Sequence, residues 1–233
     1  MTPDPTSASS SSPSRSRSPA RGPYATVVSD YDFEYYDETI DRHIGLRPVD
    51  LERDLGRLHA WLGSDHVKPY WQLDEPLPEF RTTLREKLAD DHQTLYVGCL
   101  DHVPVSYWER YWVAEDDLAA HYDADPADQG VHLLIGPEEY LGQGYGTALL
   151  RAMIAFQFRH PETLRVVAEP DARNDAVLAA FERCGADLRR EFEFEAEAKT
   201  ARLVVCERER FEREVWPPTD GAAARQAEVS DDD

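Results

Sequence analysis

Glycine occupies every second position from Gly142 to Gly146 in the run Tyr140-Leu141-Gly142-Gln143-Gly144-Tyr145-Gly146-Thr147. Glycine lets a backbone approach a bulky anion and adopt positive φ. The free N–H groups and positive end of a helix then favour phosphate. The run therefore reads either as a phosphate-binding loop or as a glycine-assisted helix start. No lysine follows Gly146, which counts against the triphosphate loop GxxxxGK[ST].

Three further places carry residues that can move protons or hold a cation. His132 lies in an apolar strand and faces opposite to Val131 and Leu133. Imidazole titrates near neutrality and suits a general base; the alternative is a histidine satisfied by a core hydrogen bond. Asp171 follows Pro170, just past a short apolar strand. Its carboxylate either orients His132, serves as a base itself, or caps the next helix. In Val105-Ser106-Tyr107-Trp108-Glu109-Arg110-Tyr111-Trp112, period two puts Tyr107, Glu109 and Tyr111 on one face. An acid between two aromatic rings suits a cationic amine; the bland alternative is a solvated strand face with Trp108 and Trp112 in the core. Trp71 and His66 are weaker candidates for the same pocket, and His66 reads more readily as a helix-end residue.

Metal chemistry finds no support in the spacing. Asp123, Asp125 and Asp128 lack the glycine and glutamate that a calcium loop needs at its sixth and twelfth positions, and no HExxH occurs. The three read as a solvated acidic loop, with no metal expected. Cys99, Cys184 and Cys206 are odd in number and far apart, so buried free thiols are expected.

Elements that position these residues are legible from periodicity. Residues 1–22 form a Ser/Pro/Arg-rich tail and 217–233 an acidic one, leaving a single domain over 23–216. Tyr24–Tyr36 is aromatic and β-branched and suggests a hairpin. Ile44–Arg47 reads as a strand. Pro48 then opens a helix that places Leu51, Leu55, Leu58 and Leu62 on one side. A second helix is expected over Glu79–Leu88, strands over Thr94–Leu100 and Val103–Val113 about an Asp101-His102 turn, and a strand over Val131–Ile135. Helices over Thr147–Arg159 and Asp175–Cys184 bracket a strand at Leu164–Ala168, and two strands close the chain around Phe192-Glu193-Phe194 and Leu203–Cys206. The order β-α-α-β-β-β-α-β-α-β-β gives an α/β chain with a mixed sheet flanked by helices.

Composition limits the partners. The formal net charge is −21, which argues against nonspecific nucleic-acid binding and anionic membranes. No apolar run approaches the roughly 20 residues of a membrane span, and the N-terminus has no signal-peptide core, so a cytoplasmic protein is expected. Only Lys68, Lys87 and Lys199 are lysines, and such an acidic, lysine-poor surface suits a high-salt interior.

A strand, an xGxGxG loop and an amphipathic helix together resemble the acyl-CoA pyrophosphate loop of GNAT acetyltransferases. The later run Asn174-Asp175-Ala176-Val177-Leu178-Ala179-Ala180-Phe181 resembles the asparagine-bearing helix of that fold. The likeness covers about residues 44–211. Within the family it is greatest to siderophore-pathway enzymes of the aerobactin N6-hydroxylysine acetyltransferase and mycobactin lysine acyltransferase types. It is carried by His132-Leu133-Leu134-Ile135-Gly136-Pro137, the glycine loop, Glu169-Pro170-Asp171-Ala172-Arg173-Asn174 and the stretch Asp65–Trp71. The resemblance implies a GNAT fold, acetyl-CoA as co-substrate held by Leu141–Thr147, and a small amine or hydroxylamine as acceptor. It implies catalytic roles for His132, as general base, and for Asp171. Asn174 either contacts the CoA or caps its helix. Glu109, with Tyr107 and Tyr111, is expected to hold the acceptor's ammonium. Other implied readings are a different small amine, a protein N-terminus, or a CoA sensor without catalysis. Two departures stand out: Leu141 replaces the Arg or Gln usually three before the first fixed glycine, and Phe181 stands where many relatives carry a tyrosine acid.

Overall fold

The computed structural model describes residues 30–71 and 73–217. The two tails lie outside them, apart from Pro217, as do residues 24–29 of the expected hairpin. Thirteen main elements run in the order β1 (Phe33–Asp37), β2 (Arg42–Pro48), α1 (Leu51–Leu62), α2 (Leu77–Leu88), β3 (Gln93–Leu100), β4 (Val103–Trp112), β5 (Gln129–Ile135), α3 (Tyr145–Gln157), β6 (Arg165–Ala168), α4 (Asp175–Arg183), β7 (Asp187–Phe194), β8 (Lys199–Glu207) and α5 (Arg208–Glu214). The strands form one sheet in the order β1-β2-β3-β4-β5-β6-β8-β7. Every neighbouring pair is antiparallel except β5–β6.

This is the expected mixed sheet with helices, with local corrections. Among the described residues the first hairpin pairs β1 with β2, Phe33 opposite Leu46. α2 starts two residues early because Pro78 sits in its first turn, where its missing N–H costs nothing. α3 starts at Tyr145, directly after Gly144, rather than at Thr147. Leu164 is exposed and precedes its strand. α5 was not expected; its charge-rich sequence buries only Phe211.

Helix α1 shows how the sequence sets its place. Asp50 caps it by accepting from the Arg53 amide at 2.7 Å. Leu55, Leu58 and Leu62 face the sheet. Asp54, fully buried, takes two bonds of 2.7 Å from the Arg47 guanidinium on β2 and one of 2.6 Å from Arg57. That forked pair fixes the helix to the sheet and keeps the buried charge compensated.

Two apolar layers result. α3, α4 and α5 cover one face around Leu149, Leu150, Met153, Phe181 and Trp108. α1 and α2 cover the other around Leu58, Leu62, Phe80 and Tyr107. The acidic turn corrects one expectation: Asp128 is buried, and Arg165 holds it at 2.7 and 3.0 Å beneath the Tyr122 hydroxyl.

The feature that positions the site is a parting of the sheet. β5 and β6 pair only at Gln129–Val166 and Gly130–Val167. β6 is four residues long and leaves the sheet into Glu169-Pro170. From Val131 onward β5 has a neighbour on its β4 side alone. The Gly136 amide bonds Val105 across that ladder. By period two, Leu133 and Ile135 therefore direct their peptide groups into the gap. His66 Nε2 donates to the Ile135 carbonyl at 2.9 Å on that open side.

Candidate active site

Two adjoining cavities fill the parting. One, of about 350 Å³, is lined by Lys87, Glu109, Tyr111, His132, Glu169, Asp171, Phe181 and Lys199 among others. The other, of about 1050 Å³, runs along β5, the glycine loop and α4. They meet at Tyr70, Trp71, Leu133, Asn174 and Val177, which line both.

In the smaller cavity His132 is clamped between two carboxylates. Its Nδ1 lies 3.1 Å from Glu109 on β4, and its Nε2 lies 2.5 Å from Glu169 just past β6. Both glutamates are almost fully buried. Each is also held by a tyrosine hydroxyl at 2.8 Å, Glu109 by Tyr107 and Glu169 by Tyr111. Lysines complete the charge balance: Lys87 of α2 reaches Glu109 at 3.0 Å, and Lys199 of β8 lies 3.6 Å from Glu169 and 2.7 Å from Glu197.

Ionised carboxylates only accept hydrogen bonds, so a clamp of two ionised glutamates requires a proton on each ring nitrogen of His132. Electrostatics agrees. Burial alone would lower the His132 pKa, but the Glu169 charge and the bonds to both glutamates override it and push it up to about 10. Burial also works against ionising the glutamates. The His132 bond and Lys87 nevertheless hold Glu109 at about 2, and the His132 charge does the same for Glu169. The clamp therefore favours the imidazolium form of His132 in the free protein.

Asp171 does not pair with His132. It lines the same cavity, but its carboxylate takes bonds of 2.6 and 2.9 Å from Arg173, which lower its pKa, and its backbone bridges to Ala201. The partner expected from Asp171 is supplied by Glu109 and Glu169. Tyr107, Glu109 and Tyr111 share a face, which is buried rather than solvated. Trp71 meets the Tyr107 ring at 5.6 Å and the His132 ring edge-on at 6.2 Å. His66 lies instead in the larger cavity, on the β5 edge. Asn174 caps α4 through the Val177 amide at 3.3 Å and also stands where the cavities meet.

Sequence reasoning gave no role to Glu169, Lys87 or Lys199. A signal existed for the lysines: two of the three in the chain reach this one cavity. Among the described residues, His132, Glu169 and Glu197 also bring potential metal ligands within 4.8 Å of one another. The Lys199 ammonium lies against both glutamates of that cluster.

In the larger cavity Gly142 and Gly144 have φ of +70° and +83°, and a Cβ at either would meet nothing within 4 Å. Glycine is needed there for backbone angle, not for space. Gly144 caps α3 without a side chain, leaving first-turn amides for an outside anion. Leu141, Gln143, Gly146 and Thr147 line the same wall, and Tyr145 packs on Tyr140 beside it. Gly144→Ala is expected to strain the loop by about 1–2 kcal/mol and raise the KM for acetyl-CoA roughly tenfold with little change in kcat. Initial rates at varied acetyl-CoA check this; an unchanged KM would remove the loop from cofactor binding.

Residues 50–194 match the sequence profile of the acetyltransferase (GNAT) domain. The chain belongs to the GNAT acetyltransferase family. Its GNAT relatives include an N-hydroxyputrescine acetyltransferase of Acinetobacter baumannii, 36% identical over 181 residues, 77% of this chain and 84% of the relative. An N(6)-hydroxylysine O-acetyltransferase of Escherichia coli is 32% identical over 78% of this chain, which spans 58% of that longer protein. Among solved structures, an uncharacterized protein of Bacillus halodurans is 44% identical, with a TM-score of 0.75 over 78% of this chain and 92% of its own. The aminoglycoside acetyltransferase AAC(6')-Ib in complex with coenzyme A is 26% identical, with a TM-score of 0.67 over 73% of this chain and 98% of its own. The GNAT chain described here is thus an N-acyltransferase, and no helix among its described residues is long and apolar enough to cross a membrane.

Proposed function

We propose that this GNAT enzyme transfers acetyl from acetyl-CoA to the nitrogen of an N-hydroxylated amine, a hydroxylated short diamine or N6-hydroxylysine, giving a hydroxamate of the kind used in siderophores. The observation that carries the proposal is the His132 clamp inside a small acidic cavity that opens onto the cofactor cleft. Five acids line the cavity, Glu109, Asp116, Glu169, Asp171 and Glu197, against Lys87, Lys199 and the imidazolium. The net negative charge favours an acceptor with a distal ammonium, and the two named hydroxylamine acetyltransferases support the hydroxylated class.

The residues then divide the work. Bound acetyl-CoA supplies an activated carbonyl at the junction of the cavities. Leu133 and Ile135 peptide groups align its arm, and the loop from Gly142 to Thr147 holds its pyrophosphate. A hydroxylamine nitrogen is far less basic than an alkylamine and enters neutral at pH 7. As its bond to carbon forms, its proton becomes acidic, so the weakly basic Asp171 carboxylate suffices as acceptor. His132 acts through its positive charge, stabilising negative charge that develops on the carbonyl oxygen; the sulfur departs as the CoA thiolate and takes its proton from solvent. That assignment also accounts for Phe181, which is buried in the cavity wall and has no proton to give. The general-base role expected from the sequence passes to Asp171.

The test follows CoA release with N-hydroxyputrescine, N6-hydroxylysine and their non-hydroxylated parents, and reads the product by its coloured ferric complex. Turnover and colour only with hydroxylated amines are expected. Equal turnover of the parents, or CoA release without ferric colour, would overturn the proposed acceptor.

A further inference from the structure

Coenzyme A carries a second phosphate group, on the 3′ position of its ribose, outside the pyrophosphate that the glycine loop can hold. We infer that Arg183 recognises this 3′-phosphate; the inference rests on the acyl-CoA reading of the larger cavity. α4 forms one wall of that cavity. It begins at Asn174, where the two cavities meet and the thioester must lie, and Ala176, Val177, Ala179, Ala180 and Arg183 follow along the same wall. At 1.5 Å per residue, Arg183 stands about 13 Å from that junction.

The far end of α4 is fixed beside the phosphate loop. The Cys184 thiol donates to the Thr147 carbonyl at 3.6 Å, which places Arg183 next to the first turn of α3. The pyrophosphate there can be satisfied by backbone amides. The 3′-phosphate, close to two negative charges at neutral pH, needs a partner of its own. Two guanidinium groups line the cavity. Arg151 is already committed to the buried Asp37 and to the Thr39 hydroxyl. Arg183 is exposed, and no hydrogen bond or ion pair with a described residue engages its guanidinium. In a chain of net charge −21 binding a tetra-anion, one uncommitted cation at the rim has a large local effect.

The experiment is equilibrium binding, by calorimetry, of CoA and of 3′-dephospho-CoA to the full chain and to Arg183→Gln and Arg183→Lys. For Arg183→Gln the Kd of CoA should rise about tenfold, as expected for a lost charge-assisted bond at a partly solvated site, while that of 3′-dephospho-CoA stays within twofold. Arg183→Lys should recover part of the loss for CoA alone. Equal weakening for both ligands would overturn the inference by placing Arg183 on the pyrophosphate. No weakening for either would also overturn it. Absence of binding by the unsubstituted chain would instead overturn the acyl-CoA reading beneath it.

Discussion

His132→Gln is expected to lower kcat by about 10²- to 10³-fold, the cost of removing one group that stabilises a developing oxyanion, while CoA affinity stays within twofold. Glutamine keeps one donor for a neighbouring carboxylate but carries no charge. The fold should survive, because Lys87 and Lys199 still balance Glu109 and Glu169. CoA affinity should survive because His132 lines the smaller cavity and not the larger one along the glycine loop. Single-turnover rates with saturating acetyl-CoA, beside a binding isotherm for CoA, check both halves. A kcat within threefold of the unsubstituted enzyme would remove His132 from the reaction.

The second large effect is a pH dependence with a defined sign. If the imidazolium is the working form, kcat/KM rises at mildly acidic pH as the hydroxylamine loses its proton, stays level, and falls as His132 loses its own near pH 10. Glu169→Gln removes the charge that contributes most to raising the His132 pKa, so the alkaline limb should move to lower pH. At pH 7 the variant should keep most of its rate, and its loss relative to the unsubstituted enzyme should grow as the pH rises toward 10. A general-base histidine predicts the reverse sign. Lowering its pKa would then free more base, and Glu169→Gln would gain activity between pH 7 and 9. A kcat/KM profile of both proteins over pH 6–10.5 decides between them.

The fold was largely legible because its signals are local. The leucine spacing of α1, the alternation in β4 and the Asp101-His102 turn, whose two residues both take positive φ, each sit within a few residues. The glycine loop was legible for the same reason: its glycines, the strand before it and the helix after it are contiguous. The charge pattern of the smaller cavity was not. Glu109, His132, Glu169, Lys87 and Lys199 come from β4, β5, the end of β6, α2 and β8, and only the parting of β5 from β6 brings them together. Asp171 shows the same limit. Its sequence distance from His132 is nearly that of Glu169, yet two residues of chain turn its carboxylate toward Arg173 instead. A carboxylate pair closing on both ring nitrogens reverses the protonation state that histidine's ordinary pKa suggests, and no local pattern encodes that.

The most direct measurement is a side-chain nitrogen NMR titration of His132 in the unliganded protein, assigned with His132→Gln. The charged clamp predicts two protonated ring nitrogens at pH 7, persisting to about pH 9, with a midpoint near 10. A neutral imidazole at pH 7, with one bare ring nitrogen, would contradict the clamp and return His132 to the role of general base.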